Sequence, residues 1–527
     1  MSTENRILPC GQQSFEVIRQ EGMLYVDKTE LVWQLARQRG YFFLIRPRRF
    51  GKSLLVDTLA CYFEGKRELF EGLRIMELEK EWTAYPVIRL DMSGGGESAE
   101  QLNSFFNNLF ARYEKRYGAT SLEGSSLTDR FRNIITAAAA STGQKVVILI
   151  DEYDFPLQHT WRTPEHEKCT SIYRSVFTVL KSQSVNIRFV FITGITKFTQ
   201  ISLFSVLNNL NNISFDPEFA TLCGMTRPEI EETFGEELDK LAAENEWDRE
   251  ETLARMKDYY DGYHFSRRNM VDVYNPYSVV MALNKSDIQN YWVSSGATMM
   301  LPRFVSNFQY RIDDFETKGV KRNTLESSDV KAGEDALFLY QCGYLTIKGF
   351  DADRSLYRLG YPNTEVREAL YSMVIPALES MKHDDIDETM GCLREGFLIC
   401  DMDEARDALR AIIADVPYSN MSLQSMKMEE RYRFIISAAL KANGMLVDVE
   451  HMMATGRPDI VAKNRNYTYV IELKLTKEGG IEAAERQIVK NKYAEPFKGE
   501  GRQVVALAIE LDDEGKGLIG LKKVAVE

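Results

Sequence analysis

The chain has 527 residues, of which 44% are hydrophobic and 27% are charged, and its formal net charge at pH 7 is −13. This composition is typical of a globular protein with several domains, and the acidic balance argues against a surface that binds nucleic acid over its whole extent. No apolar run approaches the roughly 20 residues of a membrane-spanning helix. The seven cysteines form no Cys-x-x-Cys pair, and the first residues lack the pattern of a signal peptide. We therefore expect a cytoplasmic protein with reduced thiols and no membrane partner.

A phosphate-binding loop is predicted near residue 50. The apolar run from Tyr41 to Ile45 predicts a short buried strand, and apolar residues at helical spacing after position 53 predict a helix. The basic turn between them ends in Gly51-Lys52-Ser53. In such loops, N–H groups at the helix N-terminus bind phosphate. We expect Lys52 to reach the β- and γ-phosphates of a nucleotide and the Ser53 hydroxyl to ligate Mg²⁺.

The loop departs from the usual pattern G-x-x-x-x-G-K-[ST] at one position, because Arg46 stands where the first glycine is expected. Gly-Lys-Ser recurs by chance in many proteins. An ordinary strand-to-helix turn would explain these three residues alone at least as well, so the interpretation depends on the strands that follow.

Later strands supply the other groups of a nucleotide site. After a predicted strand at 85–92, five consecutive apolar residues from position 146 indicate a strand buried on both faces, which ends in Asp151 and Glu152. We predict that Asp151 holds Mg²⁺, directly or through water, and that Glu152 is the general base for an attacking water. A solvated strand end is the alternative. A fourth strand ends in Thr193, and either Thr193 or Thr196 is a candidate sensor of the γ-phosphate; the sequence does not choose between them.

Strands that alternate with helices indicate an α/β fold, a mostly parallel sheet with helices on both faces. Ligands of such sheets bind at the carboxyl ends of the strands. The Gly-Lys-Ser turn, the Asp-Glu pair and the threonines are all expected at those ends. This agreement favours a P-loop NTPase sheet over a chance match.

Five segments together resemble the AAA-ATPase-like family of bacterial proteins, a divergent P-loop group: YVDKTELVWQL, RPRRFGKSLLVDTL, VILIDEYD, FITGITKFTQISLFSVLNNL and YYDGYHF. That family carries arginine in place of the early glycine, so Arg46 fits it. The resemblance implies ATP binding and hydrolysis by an AAA-like domain at 1–225. Arg48 and Arg49 would then help to hold phosphate or would contact another part of the molecule.

The middle region, 226–425, is predicted to be mainly helical. Near 335–370, a helix, two short strands and a second helix resemble a winged-helix module. Such a module could touch DNA or could serve as a lid or spacer, and we favour the spacer.

The last hundred residues, 426–527, carry a second group of charged residues. Asp459 and Glu472 fall on adjacent predicted strands, so a hairpin can bring their carboxylates together. Glu472 and Lys474 are two residues apart on one strand and therefore share a face. Two carboxylates and a lysine can bind Mg²⁺ or Mn²⁺. The metal would activate water against a phosphodiester, and Lys474 would orient that water or stabilise the developing charge.

Pro458-Asp459 and Glu472-Leu473-Lys474 match the PD-(D/E)XK pattern. They resemble the nuclease-like module that follows the ATPase in the same bacterial family. By that resemblance, Glu430 on the preceding helix is a further acid at the metal, with Glu450 as the substitute candidate. Gln487 matches a glutamine on the following helix of some members of the superfamily.

The sequence thus predicts an ATP-binding and ATP-hydrolysing protein coupled to a Mg²⁺-dependent nuclease, with DNA favoured over RNA as the partner. The ATP state would govern access or assembly. The alternative is a nucleotide-switched binding or signalling protein whose nuclease-like domain holds nucleic acid or a partner without cleaving. No arginine finger can be assigned, so the sequence leaves the oligomeric state open.

Overall fold

The computed structural model describes residues 6–122, 124–161, 163–197, 210–292, 319–327, 335–369, 383–414, 427–443, 445–450, 453, 456–499, 501–514 and 517–525. The chain divides into two compact units, one made of 1–297 and 319–363 and the other of 298–318 and 364–527. The division at 225 and 425 stays a prediction. Residues 198–209, part of one family segment quoted above, lie outside the described residues.

The first unit is built on a five-stranded sheet with the order β2-β3-β4-β1-β5, in which every neighbouring pair is parallel. The strands are β1 (Gly40–Ile45), β2 (Val87–Asp91), β3 (Val146–Asp151), β4 (Ile187–Gly194) and β5 (Leu210–Asn212). The first four confirm the predicted strands, whereas β5 was not predicted. β1 and β3 lie on either side of β4, so the loop after β1 and the carboxylates after β3 meet at one edge of the sheet.

Helices cover both faces of this sheet. In chain order they are α1 (Phe15–Gln20), α2 (Thr29–Arg37), α3 (Lys52–Phe63), α4 (Ile75–Leu78), α5 (Ala99–Tyr117), α6 (Leu127–Thr142), α7 (Phe155–Thr160) and α8 (Glu165–Ser182). α5, α6 and α8 bury apolar side chains such as Phe106, Phe131 and Tyr173 in one core with the sheet. α3 packs on the other face, where the Phe63 ring lies 5.0 Å from that of Phe189 on β4.

The rest of the first unit is a helical cluster and a small sheet. The cluster contains α9 (Arg227–Thr233), α10 (Gly235–Glu244), α11 (Arg249–Tyr260) and α12 (Pro276–Lys285). Its core also takes Val26 from the segment before α2. The small antiparallel sheet, ordered β6-β8-β7, contains β6 (Gly319–Lys321), β7 (Thr346–Asp351) and β8 (Leu356–Gly360), with helices α13 (Arg322–Ser327) and α14 (Asp335–Cys342). The predicted helix and hairpin are confirmed, and β6 adds a third strand.

The second unit contains a mixed sheet with the order β13-β12-β11-β10-β9. Its elements are α15 (His383–Ile399), α16 (Met402–Ala414), α17 (Met428–Ala442), β9 (Leu446–Val449), β10 (Ile460–Lys463), β11 (Tyr467–Leu475), α18 (Gly480–Lys490), β12 (Gln503–Leu511) and β13 (Leu518–Val524). β11 and β12 are parallel and joined through α18, and the other pairs are antiparallel. Within the described ranges, no helix has both the length and the apolar character to cross a bilayer.

Candidate functional site

The turn between β1 and α3 has the backbone of an anion-binding loop. Arg49 and Gly51 have positive φ angles of 68° and 82°. Gly51 is the residue just before α3, and glycine adopts this left-handed conformation without steric cost. The first N–H groups of an α-helix have no partner inside the helix, so they are available to an anion at this point.

Arg46 turns away from this loop. Its guanidinium is buried, and it donates to the backbone oxygens of Ser214 at 2.9 Å and Phe219 at 3.0 Å. It also lies 4.1 Å from the centre of the Phe265 ring. Burial lowers the pKa of Arg46. The arginine that replaces the usual glycine therefore packs inside the protein and does not fill the anion-binding loop.

Lys52 lies at the centre of the loop. Its Nζ donates to the backbone oxygens of Arg46 at 3.1 Å and Pro47 at 2.8 Å. Burial lowers the pKa of Lys52, against the opposing charges of Asp151 and Glu152. The ammonium is thus held beside the carboxylates at the end of β3, where a phosphate bound by the loop would meet it.

Asp151 and Ser53 form the second half of the nucleotide site. Burial raises the pKa of Asp151, and a hydrogen bond with the Ser53 side chain opposes that shift. Asp151 Oδ1 also accepts from the Glu152 N–H at 2.9 Å. A paired hydroxyl and carboxylate are oxygen ligands of the kind that Mg²⁺ takes. These residues therefore fit a magnesium ion. Burial and then the charge of Asp151 raise the pKa of Glu152.

The structure places both candidate sensor hydroxyls in internal hydrogen bonds. Thr193 Oγ1 donates to the Leu44 backbone oxygen at 2.8 Å, between two strands of the sheet. Thr196 Oγ1 donates to Asp154 Oδ2 at 2.6 Å, and the Thr196 N–H donates to the same oxygen. Asp154 and its partner Gln158 line the cavity beside the loop. Sequence reasoning missed these two residues, although Asp154 belongs to the Asp-Glu-Tyr-Asp run after β3.

A cavity of about 370 Å³ opens on the phosphate-binding loop. Its polar end is lined by Arg48, Arg49, Lys52, Ser53 and Glu152. Its apolar end is lined by side chains from the segment before α2, from α2 and from α12, among them Leu24, Val26, Val32 and Val280. Ligand pockets commonly have volumes of roughly 300–1,000 Å³. The cavity therefore combines basic and polar groups, which suit phosphate, with apolar side chains.

Arg49 illustrates how the helical cluster closes this cavity. Its guanidinium lies 4.8 Å from the centre of the Tyr277 ring on α12. Arg48 and Arg49 both line the cavity. Phosphate binding and contact with another part of the molecule therefore both stay predictions for these two arginines. The contributions of the leading segment and of α12 were not predicted, because they are far from the loop in sequence.

In the second unit, the β10–β11 hairpin brings together the predicted carboxylates and lysine. Ile460 pairs with Ile471, so Asp459 and Glu472 are opposite neighbours at the hairpin's open end. Asp459 Oδ2 accepts from the Leu473 N–H at 2.8 Å. Lys474 Nζ donates to Glu472 Oε1 at 3.1 Å. The convergence that the spacing predicted is present.

Glu472 has one oxygen without a partner. Its Oε2 is buried and accepts no hydrogen bond from any described residue. Burial, followed by the charge of Asp459, raises the pKa of Glu472 to about 7. A buried carboxylate oxygen without a partner is costly, and a bound cation would relieve that cost. Among the described residues no three His, Cys, Asp or Glu side chains form a metal cluster. Asp459 and Glu472 are the two carboxylates that the hairpin brings together.

The acidic residues of α17 and of the segment before β10 differ in what they contact. On α17 it is Glu429 whose pKa is raised by burial and then by Asp459, with Lys474 opposing. Glu430 is the next residue, about 100° further around the helix. Glu450 Oε1 lies 3.1 Å from the Arg433 guanidinium. Glu429 is therefore a further candidate acid that sequence reasoning did not assign to the site, and the role of Glu430 at the metal stays a prediction.

Gln487 is engaged away from the carboxylates. Its Nε2 donates to the Tyr493 hydroxyl at 3.3 Å, and that hydroxyl donates to the Arg457 backbone oxygen at 3.3 Å. Gln487 thus supports the segment that leads into Asp459, and a direct role at the metal stays a prediction.

Two solved structures illustrate how distant the structural likenesses are. The Aeropyrum pernix ORC2 protein, solved with ADPNP and ADP, is 11% identical with a TM-score of 0.29; the match covers 70% of this chain and 96% of that one. Cdc6p from Pyrobaculum aerophilum is 10% identical with a TM-score of 0.26, and covers 68% and 94%. Likenesses this weak say nothing about activity.

Sequence comparisons are closer. The model of the family described as predicted AAA-ATPase matches residues 9–204, and that of the PD-(D/E)XK nuclease superfamily matches residues 427–518. A protein of Azotobacter chroococcum mcd 1, described as an uncharacterized protein in the vnfD 5′ region, is 30% identical over 97% of this chain and 98% of its own length. The chain therefore belongs to a bacterial family of AAA-ATPase-like proteins with a C-terminal PD-(D/E)XK nuclease-superfamily domain.

Proposed function

We propose that the protein binds and hydrolyses ATP and that its C-terminal domain is a Mg²⁺-dependent nuclease that acts on nucleic acid, with DNA favoured. The position of Ser53 beside Asp151, where it opposes the rise in the pKa of that carboxyl, supports the ATP site, because it pairs two magnesium ligands beside the phosphate-binding loop. The apolar end of the adjoining cavity suits a nucleobase. At each proposed site Mg²⁺, when bound, would neutralise charge on phosphate oxygens.

In ATP hydrolysis, the N–H groups at the start of α3 hold the phosphates and Lys52 binds the β- and γ-phosphate oxygens. Lys52 exchanges the carbonyl oxygens of Arg46 and Pro47 for those phosphate oxygens. Glu152 accepts a proton from a water whose oxygen bonds to the γ-phosphorus, while the bond from that phosphorus to the bridging oxygen breaks. Burial of Glu152 raises its pKa, which makes it a better base.

The buried Oε2 of Glu472, which has no partner among the described residues, is the observation that carries the nuclease proposal. Asp459 and Glu472 would hold the metal, and the charge of Asp459 also helps to raise the pKa of Glu429, after burial. Lys474 orients a water whose oxygen bonds to the phosphorus of a phosphodiester. The bond from phosphorus to the leaving ribose or deoxyribose oxygen breaks, and that oxygen takes up, through solvent, the proton that the attacking water releases.

One observation favours the second candidate, a nucleotide-switched protein that binds nucleic acid or a partner without cleaving. Asp459 Oδ1 is held by the Arg433 guanidinium at 2.7 Å, so one proposed metal ligand already has a cationic partner. If that partner never leaves, the domain would retain the nuclease fold without the activity.

The test is cleavage of plasmid and single-stranded DNA by the full chain with Mg²⁺ or Mn²⁺. We expect Asp459→Asn and Glu472→Gln to abolish cleavage, because each removes a charged ligand while keeping the shape of the side chain. Glu482→Gln is the matched control, since that side chain is 86% exposed and on α18. Cleavage that survives both site variants would exclude the nuclease proposal and leave the binding protein.

A further inference from the structure

Arg433 bridges two carboxylates at the proposed metal site. It extends from α17, and its Nη1 lies 2.7 Å from Asp459 Oδ1 while its Nη2 lies 3.1 Å from Glu450 Oε1. Its side chain is only 10% exposed. A buried guanidinium in contact with two carboxylates is a strong, charge-assisted contact.

Because of this contact, the two proposed metal ligands differ in how many of their carboxylate oxygens have a partner. Asp459 uses Oδ1 for Arg433 and Oδ2 for the Leu473 N–H. Glu472 uses Oε1 for Lys474, and its Oε2 has no partner among the described residues. The guanidinium therefore supplies Asp459 with positive charge that a divalent ion would otherwise supply.

Glu450 does not depend on Arg433 alone. Its Oε2 lies 3.3 Å from the Arg457 guanidinium, whose side chain is 55% exposed. If Arg433 moves away, Glu450 therefore still has a cationic partner. Among the described residues Arg433 is the ion-pair partner of Asp459, and Lys474, which also attracts Asp459, is paired with Glu472. Departure of Arg433 would therefore leave Asp459 in need of a cation.

We propose that Arg433 is a resident counter-ion that makes this site a weak binder of divalent metal by itself, and that it moves to a phosphate of bound nucleic acid. Arginine suits this exchange because its planar fork matches carboxylate and phosphate geometry alike. Metal and phosphodiester then bind with positive coupling, and each raises the affinity for the other. The inference rests on the proposed function in one respect, the identity of the substrate as a phosphodiester.

A purely structural ion pair makes a different prediction. In that case Arg433 only holds α17 against the sheet, and its removal lowers stability without strengthening metal binding. Metal affinity, measured apart from cleavage, distinguishes the two roles.

The experiment titrates the full chain with Mn²⁺ and follows free Mn²⁺ by electron paramagnetic resonance. We expect Arg433→Gln to bind Mn²⁺ at least about tenfold more tightly than the wild type, because a nearby positive charge opposes a divalent ion even at an effective dielectric constant of 20. Arg433→Lys keeps the charge and should bind no more than about twofold more tightly. Arg457→Gln removes the outer arginine and should stay within about twofold of the wild type. Equal or weaker binding by Arg433→Gln overturns the proposal.

A second titration needs no variant. A short DNA duplex with phosphorothioate linkages, which resist cleavage, should raise the Mn²⁺ affinity of the wild type at least about tenfold, the coupling expected from an exchanged charge. An unchanged affinity overturns the movement of Arg433. This titration of the wild type tests the movement of Arg433 even if Arg433→Gln does not fold. Thermal melting shows whether that variant folds. If the wild type shows the coupling but cleaves no DNA, the nuclease proposal fails and the role of Arg433 stands.

Discussion

Pro47 of the phosphate-binding loop packs against Gly343, which follows α14. A Cβ built on Gly343 would lie 2.6 Å from the Cβ of Pro47, and the φ of Gly343 is +90°. No other residue fits this position without moving the loop, because the left-handed backbone and the close contact both favour glycine. The small three-stranded module therefore limits the conformation of the loop that holds Lys52.

Gly343→Ala should disturb the loop. We expect it to lower the free energy of unfolding by about 1–3 kcal/mol more than Gly72→Ala does, and to weaken ATP binding. Gly72 is a matched control, because its φ is +81° and a Cβ there would meet nothing within 4 Å. Urea unfolding and titration with a fluorescent ATP analogue measure the two effects. Equal losses in both variants would show that only the backbone angle matters.

Lys52→Ala should weaken ATP binding by about a hundredfold or more, since a charge-assisted hydrogen bond contributes roughly 1.5–3 kcal/mol and Lys52 is expected to make more than one. The same fluorescent titration measures it. Lys80→Ala is the control, because Lys80 is exposed and lies outside the cavity. Unchanged affinity in Lys52→Ala would contradict the assignment of the phosphate-binding loop.

Glu152→Gln should retain ATP binding and slow hydrolysis by about 10²–10⁴-fold, because glutamine keeps the shape of the side chain but cannot accept the proton. Glutamine also meets the same backbone strain, since residue 152 has a φ of +46°. Phosphate release under saturating ATP is the measurement. Glu167→Gln, an exposed residue on α8, should behave as the wild type. Hydrolysis at the wild-type rate would show that another group is the base.

Asp261 predicts a pH dependence of stability. Burial raises its pKa from 3.8 to about 6, and its Oδ1 has no partner among the described residues. The folded state therefore binds the proton more tightly than the unfolded state. This contribution to stability is present below pH 4 and is lost as the pH rises through 6. At 1.36 kcal/mol for each unit of pKa, the loss is at most about 3 kcal/mol.

Asp261→Asn should remove that loss, because a neutral amide replaces the carboxylate. We expect the free energy of unfolding of the variant to rise relative to that of the wild type between pH 4.5 and 7.5. Urea unfolding at each pH measures both values. Asp353→Asn, on an exposed turn, is the control and should show no such change. A difference that stays constant with pH would contradict the predicted shift.

The strands at the sites were predictable because each is a local pattern. Val146 to Ile150 form an apolar run that only a strand buried on both faces accommodates, and all five are fully buried. The spacing of Glu472 and Lys474 puts both on one face of a strand regardless of the rest of the fold. The short strands β5 and β6 escaped prediction, since three residues are too few to show a period.

Other features of the sites were not predictable. Both Glu429 and Glu430 lie in the first turn of α17, and no sequence pattern shows that burial and the charge of Asp459 raise the pKa of Glu429. Thr193 and Thr196 were equal candidates as sensors, and the sequence did not show that each hydroxyl makes an internal hydrogen bond. The direction of a side chain within such a pair depends on partners far away in sequence.

The sequence by itself determined the α/β class, the phosphate-binding turn, and the pairing of Asp459 with Glu472, because these follow from apolar periodicity and from spacing along one or two strands. Only the tertiary structure decided that Arg46 is buried away from the loop, that Val26 and Val280 close the apolar end of the cavity, and that Arg433 is the cation at Asp459. Burial and unlike charges join those groups across long separations, and no local pattern records which distant partner a buried charge will meet.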